Sequence, residues 1–148
     1  MDLESIGTKF GPDLNAHTSF DETVYKLQVP SDSTDFILSG LQILEDWAHG
    51  LLFDENEIDK ERGVVTEEWR TRQGAGARMF NKVVPILFNN SQYAKRLPIG
   101  QIAVIDTAHY ETIKKFYKDW YRPDLMALIA VGDFDSNRIE ELIKTYFS

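Results

Sequence analysis

Apolar and polar side chains alternate strictly over residues 24–29, Val-Tyr-Lys-Leu-Gln-Val. Tyr25, Leu27 and Val29 point one way, Lys26 and Gln28 the other, the period of a half-buried antiparallel strand. Residues 14–20 predict a partner strand across the tight Asp21-Glu22 link, so the two read as a hairpin. Pro30 ends the second strand, and residues 31–34 offer several helix N-caps. A broad helical stripe follows: Ile37, Leu41, Leu44 and Ala48 beside Phe36, Ile43 and Trp47, closed by Gly50. A second helix starts near Asp54, with Glu57 three residues on as in a capping box. It runs through Trp69 toward Gln73, where Gly74-Ala75-Gly76 loosens the chain. Residues 78–88 read as helical and 89–100 as a long connection. A third clear helix carries Ile113, Phe116, Tyr117 and Trp120 and stops at Pro123. Residues 125–131 read as a buried strand ended by Gly132-Asp133. Ile139, Leu142, Ile143 and Tyr146 mark a terminal helix capped near Asp135 or Ser136. The predicted fold is α+β, an antiparallel sheet with helices packed on one face.

The first residues read differently. Leu3 and Ile6, followed by Gly7, form the pattern of a last helical turn with its glycine stop. A helix that short would not hold alone, so its beginning is expected to lie before Met1.

Composition narrows the classes. At 148 residues the chain fits one domain with an ordinary core. Its 24 acidic against 16 basic side chains give a net charge of −8, which argues against a nucleic-acid partner. The absence of cysteine excludes disulfides and thiolate zinc sites. The longest clean apolar run, residues 125–131, is far short of the ~20 needed to span a bilayer, so no membrane partner is expected. Met1-Asp2-Leu3-Glu4 is acidic where a signal peptide would be basic.

The richest chemistry lies in residues 57–70. Ile58, Val65 and Trp69 fall in one narrow apolar stripe. Glu61 and Glu68, seven residues apart, project within about 20° of each other on the flank of that stripe. Glu67 points nearly opposite, toward water, whereas Glu61 and Glu68 are expected to face the sheet side rather than bulk solvent. The rise between the pair is about 10.5 Å, too long for both to bind one ion directly when a zinc–oxygen bond is about 2 Å. One glutamate could be a metal ligand and the other its support. Spacing alone favours the plainer reading, a solvated charged helix with Lys60, Arg62 and Arg70 nearby. The histidines build nothing by sequence: His17, His49 and His109 are scattered, with no pair at i, i+4. There is no phosphate loop, nucleophile elbow or triad signal.

Taken together, the segments resemble the insulinase/pitrilysin family of zinc metallopeptidases, the inverzincins, of processing-peptidase type. Residues 11–25, Gly-Pro-Asp-Leu-Asn-Ala-His-Thr-Ser-Phe-Asp-Glu-Thr-Val-Tyr, match the family's Asn-Ala-x-Thr strand pair. Residues 61–68, Glu-Arg-Gly-Val-Val-Thr-Glu-Glu, are similar to its distal glutamate segment. Leu97-Pro98-Ile99-Gly100, Tyr121-Arg122-Pro123-Asp124 and Val131-Gly132-Asp133 resemble later landmarks, in the family's order. The resemblance covers essentially residues 1–148, read as a single, partial peptidase domain. It implies Glu68 as a zinc ligand, Glu61 as the supporting carboxylate, and Asn15, Ala16 and Thr18 on a strand that binds substrate. This reverses the plainer reading of the two glutamates.

One departure stands out. The family's His-x-x-Glu-His, two zinc ligands and the general base, is absent from this sequence. The resemblance places it before the Asn-Ala-x-Thr strand, so the chain is expected to be an N-terminally truncated piece. Its intact parent would use Zn2+, whereas the piece itself would hold no metal and be inactive. The leading expectation is part of a zinc endopeptidase acting on unfolded peptides or small polypeptides, paired with a homologous second half. Its alternative is a non-catalytic scaffold or partner half; an unrelated acidic binding module is the third. An exposed strand edge also invites pairing with a second copy, a homodimer. The bacterial members resembled are often exported to the periplasm or cell envelope.

Overall fold

The computed structural model describes residues 14–89 and 91–147. The helical turn expected at residues 3–7 and the Gly11-Pro12 break lie outside them. Two strands come first, β1 (Leu14–Thr18) and β2 (Thr23–Leu27), then α1 (Thr34–His49), α2 (Glu55–Thr71) and α3 (Ala75–Leu87). After a 3-10 turn at Gln92–Lys95 come α4 (Ile102–Thr107) and α5 (Tyr110–Trp120), a second 3-10 turn at Pro123–Leu125, and α6 (Ser136–Phe147). The architecture is α+β, with a two-stranded antiparallel sheet. None of the described helices is long and apolar enough to cross a membrane. The described residues form two compact units, one of residues 14–17, 23–52 and 115–147, the other of residues 18–22 and 53–114.

In the first unit α1 lies on β2. Gly40 makes the close approach possible: a Cβ there would sit 3.2 Å from Val29 Cγ1 and 3.7 Å from Leu27 Cδ2. Leu27 and Val29 therefore meet α1, the side the alternation assigned to them. Tyr25, on the same side, stacks near Trp47 at 5.7 Å between ring centroids. Its hydroxyl is 2.8 Å from that of Tyr121. Tyr117 donates its hydroxyl hydrogen to Trp47 O at 2.6 Å, and so satisfies a carbonyl in the last turn of α1 that has no helical partner. α6 packs on α1, and Leu41, Tyr117 and Ile139 are buried. Asp135 caps α6, its Oδ1 accepting from Arg138 N at 3.0 Å.

In the second unit Asp54 caps α2, its Oδ1 accepting from Asn56 N at 2.9 Å and Glu57 N at 3.2 Å. Phe20, Phe88 and Tyr93 form an aromatic triangle with centroid distances of 5.1–5.9 Å. Tyr93 donates to Asp21 Oδ2 at 2.8 Å. This explains why β1 ends at Thr18 rather than Phe20: the ring leaves the strand to join Phe88 and Tyr93. α4, within the stretch between the expected long connection and the third helix, is six residues long, too short to carry a helical period.

The buried strand expected at residues 125–131 is corrected. The chain makes a 3-10 turn there and then runs without pairing to any described strand. Ile129 is 84% exposed and Val131 90%. An apolar run becomes a buried strand only when a neighbour takes its backbone hydrogen bonds and another layer covers its side chains. No described strand pairs with it, and within it only Leu128 is even half-buried.

Removing side-chain volume from α1 should show where the first unit's stability resides. Leu41→Ala is expected to cost about 2–5 kcal/mol, and Asp54→Ala, which removes the cap of α2, about 1 kcal/mol. Urea unfolding of the two variants checks the order. Tyr25 supplies a pH test. Burial and the hydrogen bond with Tyr121 push its hydroxyl pKa well above the ordinary tyrosine value of 10.0. The folded state therefore holds this proton more tightly than the unfolded one. The resulting stability is complete below pH 10 and is lost as pH rises above it. Alkaline titration by tyrosinate absorbance should find the folded wild type and Tyr25→Phe ionising the same number of tyrosines near pH 10; one more in the wild type would contradict the burial.

Candidate functional site

Helix α2 holds the two carboxylates singled out in the sequence. Asp54 starts it, and no proline interrupts residues 55–71, so Glu61 and Glu68 stand on one continuous helix. The side of α2 turned inward comprises Ile58, Arg62, Val65, Thr66 and Trp69, all half-buried. Their spacing of four, three, one and three is a helical face, and it contains an arginine.

Both glutamates are exposed, contrary to their expected position away from bulk solvent. The apolar stripe is narrow, and the neighbouring Val64 is itself exposed, so nothing described covers that flank. The Glu68 side chain is 45% exposed and Glu67 60%. Glu68 pairs with Arg72 one turn on, and Arg72 is exposed as well. Such a surface pair contributes little and gives way readily. Glu61 has no ion pair among the described residues. A shallow hollow lined by Lys60, Gly63, Thr66, Glu67 and Asp106 includes neither Glu61 nor Glu68.

Beneath this surface lies a contact the sequence reading missed. The Arg62 side chain is only 15% exposed. Its Nη1 donates to Ile105 O and its Nη2 to Ala108 O; its Nε donates to Asp59 Oδ1 at 3.2 Å. Its Cζ lies 5.8 Å from the centre of the Tyr110 ring, and Tyr110 donates to Asp59 Oδ2 at 2.8 Å. That bond and the nearby Asp59 charge raise the Tyr110 pKa. The available signal was position: Arg62 follows Ile58 by four and precedes Val65 by three, squarely on the apolar side.

The other expected residues lie elsewhere. Asn15, Ala16 and Thr18 are exposed on β1. Asn15 Oδ1 accepts the Ala16 N–H at 2.8 Å. Among the described residues β1 pairs only with β2, and no described strand lies on its other edge. His17 is exposed on the same strand. His49 ends α1 and contacts Glu45 at 2.8 Å. The His109 carbonyl accepts from Thr112 N and Ile113 N at the start of α5.

Zinc chemistry is implied by the resemblance, so the donor set decides what this chain could hold. Among the described residues no three His, Asp or Glu side chains gather to hold a metal. Glu68 has the charge and accessibility of one oxygen ligand. It fits as part of a zinc site, not as a site.

Comparison with known proteins agrees with the sequence landmarks. Residues 2–98 match the family model described as Insulinase (Peptidase family M16), and residues 107–148 the one described as Peptidase M16 inactive domain. The chain is 42% identical to a zinc protease PQQL-like protein of Arabidopsis thaliana, over 98% of this chain and 15% of the relative. It is 39% identical to the probable zinc protease PqqL of Escherichia coli, over 99% of this chain and 16% of that protein. The chain thus spans about one-sixth of the length of these relatives. Among solved structures, the first half of the periplasmic protease PqqL from Escherichia coli superposes with a TM-score of 0.93 at 39% identity, covering 98% of this chain and 31% of that one. The ferredoxin protease FusC, in complex with Arabidopsis ferredoxin, matches with a TM-score of 0.89 at 29% identity, covering 98% and 16%. Both the sequence landmarks in residues 11–68 and the fold of the two units place this chain in the insulinase family, peptidase family M16.

Proposed function

We propose that the chain is a working part of a zinc-dependent endopeptidase and contributes Glu68 as a metal ligand, with Glu61 as its supporting carboxylate. One observation carries this: two glutamates seven residues apart on a single unbroken helix, inside the region that matches the insulinase family model. The histidine pair and general base that the family resemblance calls for would come from elsewhere in the intact protein. When bound, zinc activates water for attack on a peptide bond. This chain's own part is to hold a carboxylate at the metal. The Glu68–Arg72 contact is the one that must open for Glu68 to turn to a metal, and its exposure makes that change inexpensive.

Asn15, Ala16 and Thr18 form the second half of the proposal. The open edge of β1 would take an extended peptide as an added strand, with backbone hydrogen bonds supplying affinity. Ala16 keeps the edge narrow, and Asn15 would release the Ala16 N–H to the incoming peptide. The substrates are then unfolded peptides or small polypeptides, and a homologous half would complete the assembly. The likeness to periplasmic PqqL makes the periplasm or cell envelope the proposed compartment in a bacterial host.

The 148-residue chain alone should neither retain zinc through purification nor cleave peptides, because a catalytic site needs three protein ligands. Stoichiometric zinc by elemental analysis, with chelator-sensitive cleavage, would overturn the assignment. In the intact protein Glu68→Gln should sharply reduce zinc affinity, whereas Glu61→Gln should lower it only about 10–100-fold. Substrate binding is tested separately: Ala16→Phe should raise KM for an extended peptide and leave zinc content unchanged. Equal KM in the two proteins would remove β1 from the substrate site.

A further inference from the structure

Arg62 is a charged side chain drawn into the unit for which neither the peptide edge nor the metal ligand has a use. Glu61 and Glu68 are exposed, so packing of their own side chains does not set their places. What sets them is the placement of the α2 backbone, and its hydrogen bonds to the end of α4 converge on the residue next to Glu61.

The bonds are specific. The last carbonyls of a helix have no partners within it, and those near the end of α4 are met by a guanidinium: Nη1 takes Ile105 O and Nη2 takes Ala108 O. A cation at that end also suits the helix dipole. On the other side Asp59, one turn before Arg62 on α2, accepts from Nε. Tyr110 completes the setting, its ring beside the guanidinium and its hydroxyl bound to the second oxygen of Asp59. A planar fork held by two carbonyls and a carboxylate has little freedom to rotate. With the half-buried Ile58, Val65 and Trp69 on the same face, it therefore helps to fix the rotation of α2 about its axis and its height against α4. A further contact one turn on, Thr66 Oγ1 to Asp106 Oδ1, is long at 3.4 Å and cannot fix either alone.

We propose that Arg62 is the positioning residue of the glutamate pair: it acts through α2 to hold Glu61 and Glu68 where the metal needs them. This rests on the zinc reading of Glu68 given above. Lysine could not replace it fully, because an ammonium offers no planar fork for two carbonyls and a carboxylate at once.

The test uses the intact protein, with zinc affinity from chelator competition, the Tm of the zinc-free protein, and kcat and KM on a peptide. Arg62→Met is expected to weaken zinc binding about 10–100-fold, as losses of supporting contacts do. It should lower kcat and leave KM unchanged, since β1 is untouched. Arg62→Lys should fall between Met and wild type. Tyr110→Phe, which keeps the guanidinium and removes only the hydroxyl bond to Asp59, should show a smaller loss of zinc affinity with little change in Tm; it serves if Arg62→Met fails to fold. A lowered zinc-free Tm with unchanged zinc affinity in both Arg62 variants would make Arg62 merely structural and overturn the proposal. Glu68→Gln is the control. If it leaves zinc affinity unchanged, the zinc reading itself fails; if it weakens zinc while Tyr110→Phe and the Arg62 variants do not, only the role of Arg62 fails.

Discussion

A guanidinium removed from water keeps its charge, so it must find its hydrogen-bond partners inside the protein. Arg62 finds them at the end of α4, where backbone carbonyls are left over by the geometry of a helix. Each side thereby answers the other's deficit. Without the arginine the carbonyls of Ile105 and Ala108 would be poorly satisfied, and without the carbonyls the arginine would not enter the unit. The exchange ties α2 to α4 within the unit, alongside the packing of Ile58, Val65 and Trp69. The first unit uses a neutral version of the same device, with the Tyr117 hydroxyl meeting the Trp47 carbonyl at the end of α1.

Much of the fold could be read from residue patterns because its signals are local. The alternation at residues 24–29, the cap at Asp54 and the stripe from Ile37 to Ala48 each act within one or two turns of chain, and the structure places β2, α2 and α1 there. The failures share a cause. Residues 125–131 are apolar enough for a strand, yet pairing depends on a neighbour that the pattern does not contain. α4 is short, and what holds it is Arg62, forty-three positions away in sequence from Ile105. Phe20 leaves the strand for two rings more than sixty positions further along. Long-range partners decide such cases.

The site was legible to a different degree. Angular arithmetic put Glu61 and Glu68 on one flank of a helix, and they do share a continuous helix. The same arithmetic could have found Arg62, whose place between Ile58 and Val65 is unusual for an arginine. An arginine among glutamates reads instead as a surface ion-pair partner. The exposure of both glutamates depends on how narrow the inward face is, and that is a property of tertiary contacts rather than of spacing.

Exposure and rigidity together suit a carboxylate that serves a metal. A ligand buried in its own unit would need its hydrogen bonds broken before it could bind, whereas Glu68 is held only by Arg72 at the surface. An exposed side chain on a loosely held helix would instead lose rotational and translational freedom each time a metal arrived. Here α2 is anchored beneath by Arg62 and capped at its start by Asp54. The cost of ordering the backbone is met when the unit folds, and for the proposed ligand only side-chain rotamers would remain to be fixed at a metal. On the proposed zinc reading, that division, a firm helix with carboxylates at its surface, accounts for a buried cation one residue from Glu61 while both glutamates stay exposed.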